Sequence, residues 1–181
     1  SIRDFECSTV YNGITIGTNV IGADIDGGYF EGGDQGTAIL IQSPYVTVSD
    51  NRIYAGFSAG IDATAAGGGV TITENTVNLG AVVNAVGINV TSTGNARNQN
   101  VTNNTIIYTA GTLGASGIKI NGSDPRMNVF GNYFEPGGLW TGAGSLKIND
   151  LSTNGVRGLI QKELGTGEIL SLSRGEISLQ L

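Results

Sequence analysis

Five eight-residue stretches of this chain align without gaps, and no other feature restricts its folding as much. They are residues 23–30 (Ala-Asp-Ile-Asp-Gly-Gly-Tyr-Phe), 46–53, 70–77, 99–106 and 127–134. Their sixth positions are Gly28, Asn51, Asn75, Asn104 and Asn132, so the steps are 23, 24, 29 and 28 residues. A recurrent period in this range predicts a solenoid, in which each unit covers the apolar face of the next.

Inside each unit the apolar residues alternate with a period of two, which is the strand period. Val46, Val48 and Ile53 match Val70, Ile72 and Val77, and the same slots hold Ile25 and Phe30, Val101 and Ile106, then Val129 and Phe134. A second alternating segment recurs at 13–16, 60–63, 87–90, 117–120 and 145–148, each with apolar-x-apolar at its end. Residues 37–41 fill the same slot less regularly, which sets its starts at 13, 36, 60, 87, 117 and 145. Each unit therefore contains at least two short strands joined by Gly- and Asn-rich bends. A strand that pairs with its own copy one period later runs parallel to it, and the rest of the coil serves as the crossover. The expected fold is all-β: a parallel β-helix of about five to six coils, with strands about 4.8 Å apart along the axis. Asn51, Asn75, Asn104 and Asn132 would then stack as an asparagine ladder at one bend, each amide bonded to the coils above and below.

Composition agrees. Thirty Gly, three Pro and few charged residues suit tight bends and short strands, and no helical stripe is evident. The net charge is −6 and His is absent. Nucleic acid and anionic membranes are taken by clustered Lys and Arg, and no such cluster occurs, so neither is an expected partner. The lone Cys7 excludes an internal disulfide and falls at the position of Ile53, where it reads as a small core residue. Asn-x-Ser/Thr sequons at Asn89, Asn100, Asn103 and Asn121 follow from the Asn- and Thr-rich repeat itself. Residues 2–7 read as half of an earlier coil, as expected of a piece of a longer protein. The coil pattern fades after Asp150, which divides the chain into a β-helix at 1–154 and a C-terminal segment at 155–181. In the latter, two alternating runs about Arg174-Gly175 predict a hairpin whose Leu172, Ile177, Leu179 and Leu181 face either caps the solenoid or packs in a homotrimer.

Outward side chains in one row, one coil apart, lie about 5 Å from each other. Asp50 and Glu74 share such a row on consecutive coils, with Asp26 beside them one coil earlier. A carboxylate pair at about that distance is what a retaining glycosidase uses as acid and nucleophile, so Asp50, Glu74 and Asp26 are the candidate catalytic residues. The plainer reading is that the position before the ladder Asn favours Asp, Asn, Gly or Glu because it is a turn, and Gly27, Asp50, Glu74, Asn103 and Gly131 all fit it. Asp24, Asp26, Glu31, Asp34 and Asp62 could supply oxygen ligands for calcium, but no Gly-rich calcium repeat accompanies them, and no metal or cofactor is expected. Lys119 and Lys147 share a row with Asn89 and Asp62 and read as a solvated face. For a ligand surface the candidates are aromatic: Tyr29, Tyr54, Tyr133 and Trp140, with Arg52. Tyr29 and Tyr133 fall at an outward row, Tyr54 and Tyr108 in bends, and Trp140 in the loop at 137–144. A line of Tyr, Asn, Thr and Ser suits a polysaccharide chain.

The pattern apolar-x-apolar-x-[Asp/Asn]-Asn-x-apolar, with Gly-Ile-x-Ile between copies, resembles the right-handed, single-stranded parallel β-helix of the pectate-lyase-like superfamily over residues 1–154. The resemblance implies the fold and its hand, and it spans lyases, hydrolases, epimerases, adhesins and phage tailspikes. The Asp-Pro-His-Glu segment of the epimerases is absent, as are the Asn-x-Asp, paired-Asp and Gly-His-Gly motifs of the polygalacturonases. The lyases need an Arg beside clustered calcium carboxylates, and Arg52 and Arg97 have no such cluster. What remains is most similar to a piece of a phage tailspike or tail fibre, located in the virion tail or otherwise extracellular, binding host surface polysaccharide as a trimer. The alternatives are a polysaccharide-degrading hydrolase or lyase and the stalk of a bacterial surface adhesin.

Overall fold

The computed structural model describes residues 1–32, 35–54, 56–80, 82–91, 99–109, 116–121, 127–137 and 145–149. Its strands, numbered β1 to β18 along the chain, form three parallel sheets of six strands each. The first sheet holds β1 (Ile2–Arg3), β4 (Ala23–Asp26), β7 (Val46–Ser49), β10 (Thr71–Thr73), β13 (Gln99–Thr102) and β16 (Met127–Phe130). The second holds β2 (Glu6–Val10), β5 (Tyr29–Gly32), β8 (Arg52–Tyr54), β11 (Thr76–Asn78), β14 (Thr105–Thr109) and β17 (Tyr133–Gly137). The third holds β3 (Ile14–Ile16), β6 (Gly36–Ile41), β9 (Phe57–Ala63), β12 (Val86–Thr91), β15 (Ser116–Asn121) and β18 (Ser145–Asn149). Each strand pairs with its copy one coil away, so the expected β-solenoid is the fold found. Among the described residues no helix is long and apolar enough to cross a membrane.

Each coil thus carries three strands rather than the two that alternation reveals. The additional one is the piece after the ladder Asn, which in β8 and β11 holds a single inward residue, Ile53 or Val77. One inward residue is too little for a period of two to be seen. The slot at 36–41 also sits two residues away from its expected register. Ile14 pairs with Ile39 and Ile39 with Ile61, which sets Ala38, not Gly36, level with Gly13 and Gly60. A one-residue register irregularity lies between Gly36, which pairs with Phe57, and Thr37, which pairs with Ala59.

Three apolar ladders fill the interior. Ile25, Val48, Ile72, Val101 and Val129 stack from the first sheet, Phe30, Ile53, Val77 and Ile106 from the second, and Ile39, Ile61, Ile88 and Ile118 from the third. All are buried, and burying each such side chain contributes about 1.5–3 kcal/mol. Cys7 pairs in register with Phe30 and packs against this core, as its alignment with Ile53 predicts, and burial raises its thiol pKa.

The asparagine ladder closes the corner between the first and second sheets. Asn75 Oδ1 accepts from the backbone N and Nδ2 of Asn51, both at 3.0 Å. Its own Nδ2 reaches Val48 O and Thr73 O, each at 2.9 Å, and Asn104 Oδ1 at 3.0 Å. Asn104 repeats the pattern onto Asn132, and Asn51 carries it up to the backbone N of Gly28 at 2.9 Å. The position before the ladder slot is left-handed in all six coils, including the two where Phe5 and Gly28 replace the Asn: Asp4, Gly27, Asp50, Glu74, Asn103 and Gly131 have φ of 48°, 67°, 54°, 60°, 55° and 67°. Gly, Asn and Asp are the residues that tolerate this region.

Candidate functional site

The outer face of the second sheet gathers the largest group of aromatic and charged side chains among the described residues. Its geometry follows from the inward residues. Phe30, Ile53, Val77 and Ile106 point to the core, so the residues on either side of each point out. Register then fixes two rows along the axis. One runs Glu6, Tyr29, Arg52, Thr76, Thr105, Tyr133, and the other Ser8, Glu31, Tyr54, Asn78, Ile107. Tyr29, Glu31, Arg52 and Tyr54 form a four-residue tile, about 4.8 Å across the strands and about 6.6 Å along them. The tyrosines occupy one diagonal and the opposite charges the other. Tyr54 is 51% exposed and Tyr133 46%, Arg52 is exposed, and Tyr29 is half-buried between its neighbours. The Ser8 hydroxyl donates to Glu6 Oε1 and holds that carboxylate at the edge of the tile.

Burial, then the carboxylate of Glu31, then Tyr54 and Glu6, push the Tyr29 phenol above the ordinary tyrosine range. Each of these disfavours the phenolate, so Tyr29 keeps its proton, and its power to donate a hydrogen bond, to higher pH than a free tyrosine at about 10. Replacing Glu31 with Gln removes the largest charge contribution. The Tyr29 midpoint, followed by NMR of the labelled phenol carbon, is expected to fall in that variant; an unchanged midpoint would show that the two do not interact.

The structure brings together three of the ligand-surface candidates, Tyr29, Arg52 and Tyr54. Tyr133 lies in the same row three strands beyond Arg52. Trp140 lies outside the described residues, as do Asp34, Arg97 and the whole segment 155–181. Tyr54 and Tyr108 are in strands β8 and β14, not in bends. The eight-residue alignment stops at Ile53, one residue short of the row that holds Tyr54. For the same reason it conceals Glu31 and Ser8, which are visible in the sequence once the repeat is extended by one position.

The carboxylates divide differently. Asp50 and Glu74 are exposed and stand one coil apart in the left-handed row at the corner. Asp26 belongs to the outer face of the first sheet, where its Oδ1 accepts from Ser49 Oγ at 2.7 Å. The groups considered for calcium are spread over three faces: Asp24 and Asp26 on the first sheet, Glu31 on the second, Asp62 on the third. Asp62 is engaged by Thr64, whose N and Oγ1 donate to its Oδ1 at 2.9 and 2.7 Å. Among the described residues no group of three or more Asp, Glu, Cys or His converges as a metal site would require. Lys119 does share its row with Asp62 and Asn89, and pairs in register with Lys147.

A family model described as the right handed beta helix region matches residues 2–154. No curated protein and no solved structure matches the chain.

Proposed function

Since the chain belongs to the right-handed β-helix family, whose coils present long flat rows of side chains, we propose that it is a glycan-binding domain. In this reading it belongs to a phage tailspike, tail fibre or comparable extracellular spike that assembles as a trimer and recognises host surface polysaccharide. The observation that carries the reading is the tile of Tyr29, Arg52 and Tyr54 on one outer face, continued along the axis by Thr76, Asn78 and Thr105 towards Tyr133. Exposed aromatic faces supply apolar area for the C–H side of a sugar ring, and the guanidinium, amide and hydroxyls beside them supply directional bonds for its hydroxyls. A chain lying along the axis would meet such groups at every coil.

The test is binding of purified bacterial capsular polysaccharides and lipopolysaccharide O-chains, measured by affinity electrophoresis or calorimetry. Tyr54→Ala is expected to weaken binding at least about tenfold, which corresponds to about 1.4 kcal/mol. Asn128→Ala, on the outer face of the first sheet, should leave it unchanged. Equal binding by the two variants would remove the tile from the account. The second reading, cleavage by Asp50 and Glu74, is favoured by their exposure on consecutive coils at the corner beside the tile. It requires release of reducing ends that Asp50→Asn or Glu74→Gln abolishes.

A further inference from the structure

The charges around the tile carry the reading further, to the class of sugar. We infer that this face takes a glycan without acidic groups, either uncharged or amine-bearing, and excludes carboxylated and sulfated polymers; the inference rests on the glycan-binding role proposed above. Among the described side chains of the face, Arg52 is the one cation, while Glu6 and Glu31 stand in adjoining positions of the same two rows. Along the corner beside it run the exposed carboxylates of Asp50 and Glu74. The imbalance is not local chance. Residues 1–74 contain nine Asp and Glu against two Arg, Arg3 and Arg52, and no Lys.

A polyanion laid on these rows would bring one charge per sugar, or per few sugars, against this surface. Its contact with Arg52 would be met by contacts with carboxylates within one or two strand spacings, about 5–10 Å. That is close to the Debye length of about 8 Å at physiological salt, so screening does not remove the repulsion. A neutral sugar meets the same carboxylates as hydrogen-bond acceptors for its hydroxyls. An ammonium group on a sugar finds Glu6 or Glu31 as a counter-charge and can lie over a tyrosine face. The carboxylates of Glu6 and Glu31, which adjoin Tyr29 in the two rows, are what accept hydroxyl and amine donors and repel anions, while the Tyr29 hydroxyl can donate to a sugar oxygen.

The experiment uses the full chain against four soluble polymers: dextran and mannan as neutral probes, glycol chitosan as the amine-bearing probe, and polygalacturonate as the anionic one, at low and at physiological ionic strength. Retention by at least one neutral or amine-bearing polymer is expected, at least about tenfold tighter than by polygalacturonate, with the gap widening at low salt. The Glu6→Gln, Glu31→Gln double variant should narrow that gap by raising the affinity for polygalacturonate. Polygalacturonate bound as well as or better than the others would overturn the inference while leaving the glycan-binding role in place. Retention by none of the four would overturn both. A gap that the double variant does not narrow would show that the carboxylates do not set the selectivity.

Discussion

Replacing Asn75 with Ala is expected to cost on the order of 3–5 kcal/mol, a large part of the about 5–15 kcal/mol that holds a typical domain folded. The side chain is 1% exposed and lies in the middle of the ladder. Its removal leaves the backbone N–H of Asn51 without the Oδ1 it donates to, and takes a donor from Val48 O and Thr73 O. Each buried group left unpaired costs about 1–3 kcal/mol, because water cannot reach it. Asn75→Asp preserves the shape and the acceptor but is expected to do no better. It turns three donating contacts into oxygen facing oxygen, with a charge that the site has no cation to balance. The comparison is Asn128→Ala, which also removes an inter-coil amide bond, 2.8 Å from Nδ2 to Asn100 Oδ1, but from an exposed residue. There the expected change is within about 0.5 kcal/mol. Guanidinium unfolding followed by circular dichroism measures both. In a solenoid each coil rests only on its neighbours, so the Asn75 variant should also unfold over a broader range of denaturant. Similar losses from Asn75→Ala and Asn128→Ala would mean that the ladder is not what binds the coils at this corner.

The same contrast between buried and exposed rows explains how far the sequence could be read. The inward rows and the ladder were legible because burial leaves few choices: Val48, Ile72 and Val101 must be apolar, and Asn51, Asn75 and Asn104 must be amides, since only an amide both donates and accepts in line with the stack. The left-handed row was legible as a turn position taking Gly, Asp, Asn or Glu but not as a conformation, because admitting Glu74 conceals it. Glu has no local reason to adopt φ 60°. That row is thus a structural constraint on Asp50 and Glu74 whatever chemistry they perform. Outward rows were the least legible. Solvent accepts Glu31, Tyr54, Asn78 or Ile107 in one row without penalty, so no shared residue type marks that row. Its members are found only by extending the repeat one position beyond its last recurrent apolar residue, and register confirms that they are neighbours.

The exception in the ladder supports a second prediction, in which making the sequence more regular harms the protein. Gly28 stands where the other four units have Asn, so Gly28→Asn would extend the repeat by one rung. It is nevertheless expected to destabilise by about 1–3 kcal/mol, the cost typical of an overfilled core. Asp26 pairs with Arg3 and Tyr29 with Glu6, which sets Phe5 in the coil above level with Gly28. A Cβ on Gly28 would lie 2.3 Å from Phe5 Cζ, with two more ring carbons inside 3.0 Å. The ring is not free to leave without loss, since it packs edge-on against the buried Phe30, with centroids 5.2 Å apart and planes at 85°. Phe5 therefore ends the ladder by occupying its next place, and only a residue with no side chain fits beneath it. Removing the ring should reverse the sign. In a Phe5→Ala background, Asn at position 28 has room to repeat the bonds of Asn51, whose Nδ2 reaches Ser49 O in its own coil and Ile25 O in the coil above. The equivalent acceptors for a residue at 28 are the carbonyls of Asp26 and Ile2, the latter paired in register with Ile25. Gly28→Asn is then expected to be neutral or stabilising, with a coupling of at least about 1 kcal/mol between the two sites in a double-mutant cycle. Additive losses would show that the Gly at this position answers to something other than the phenyl ring above it.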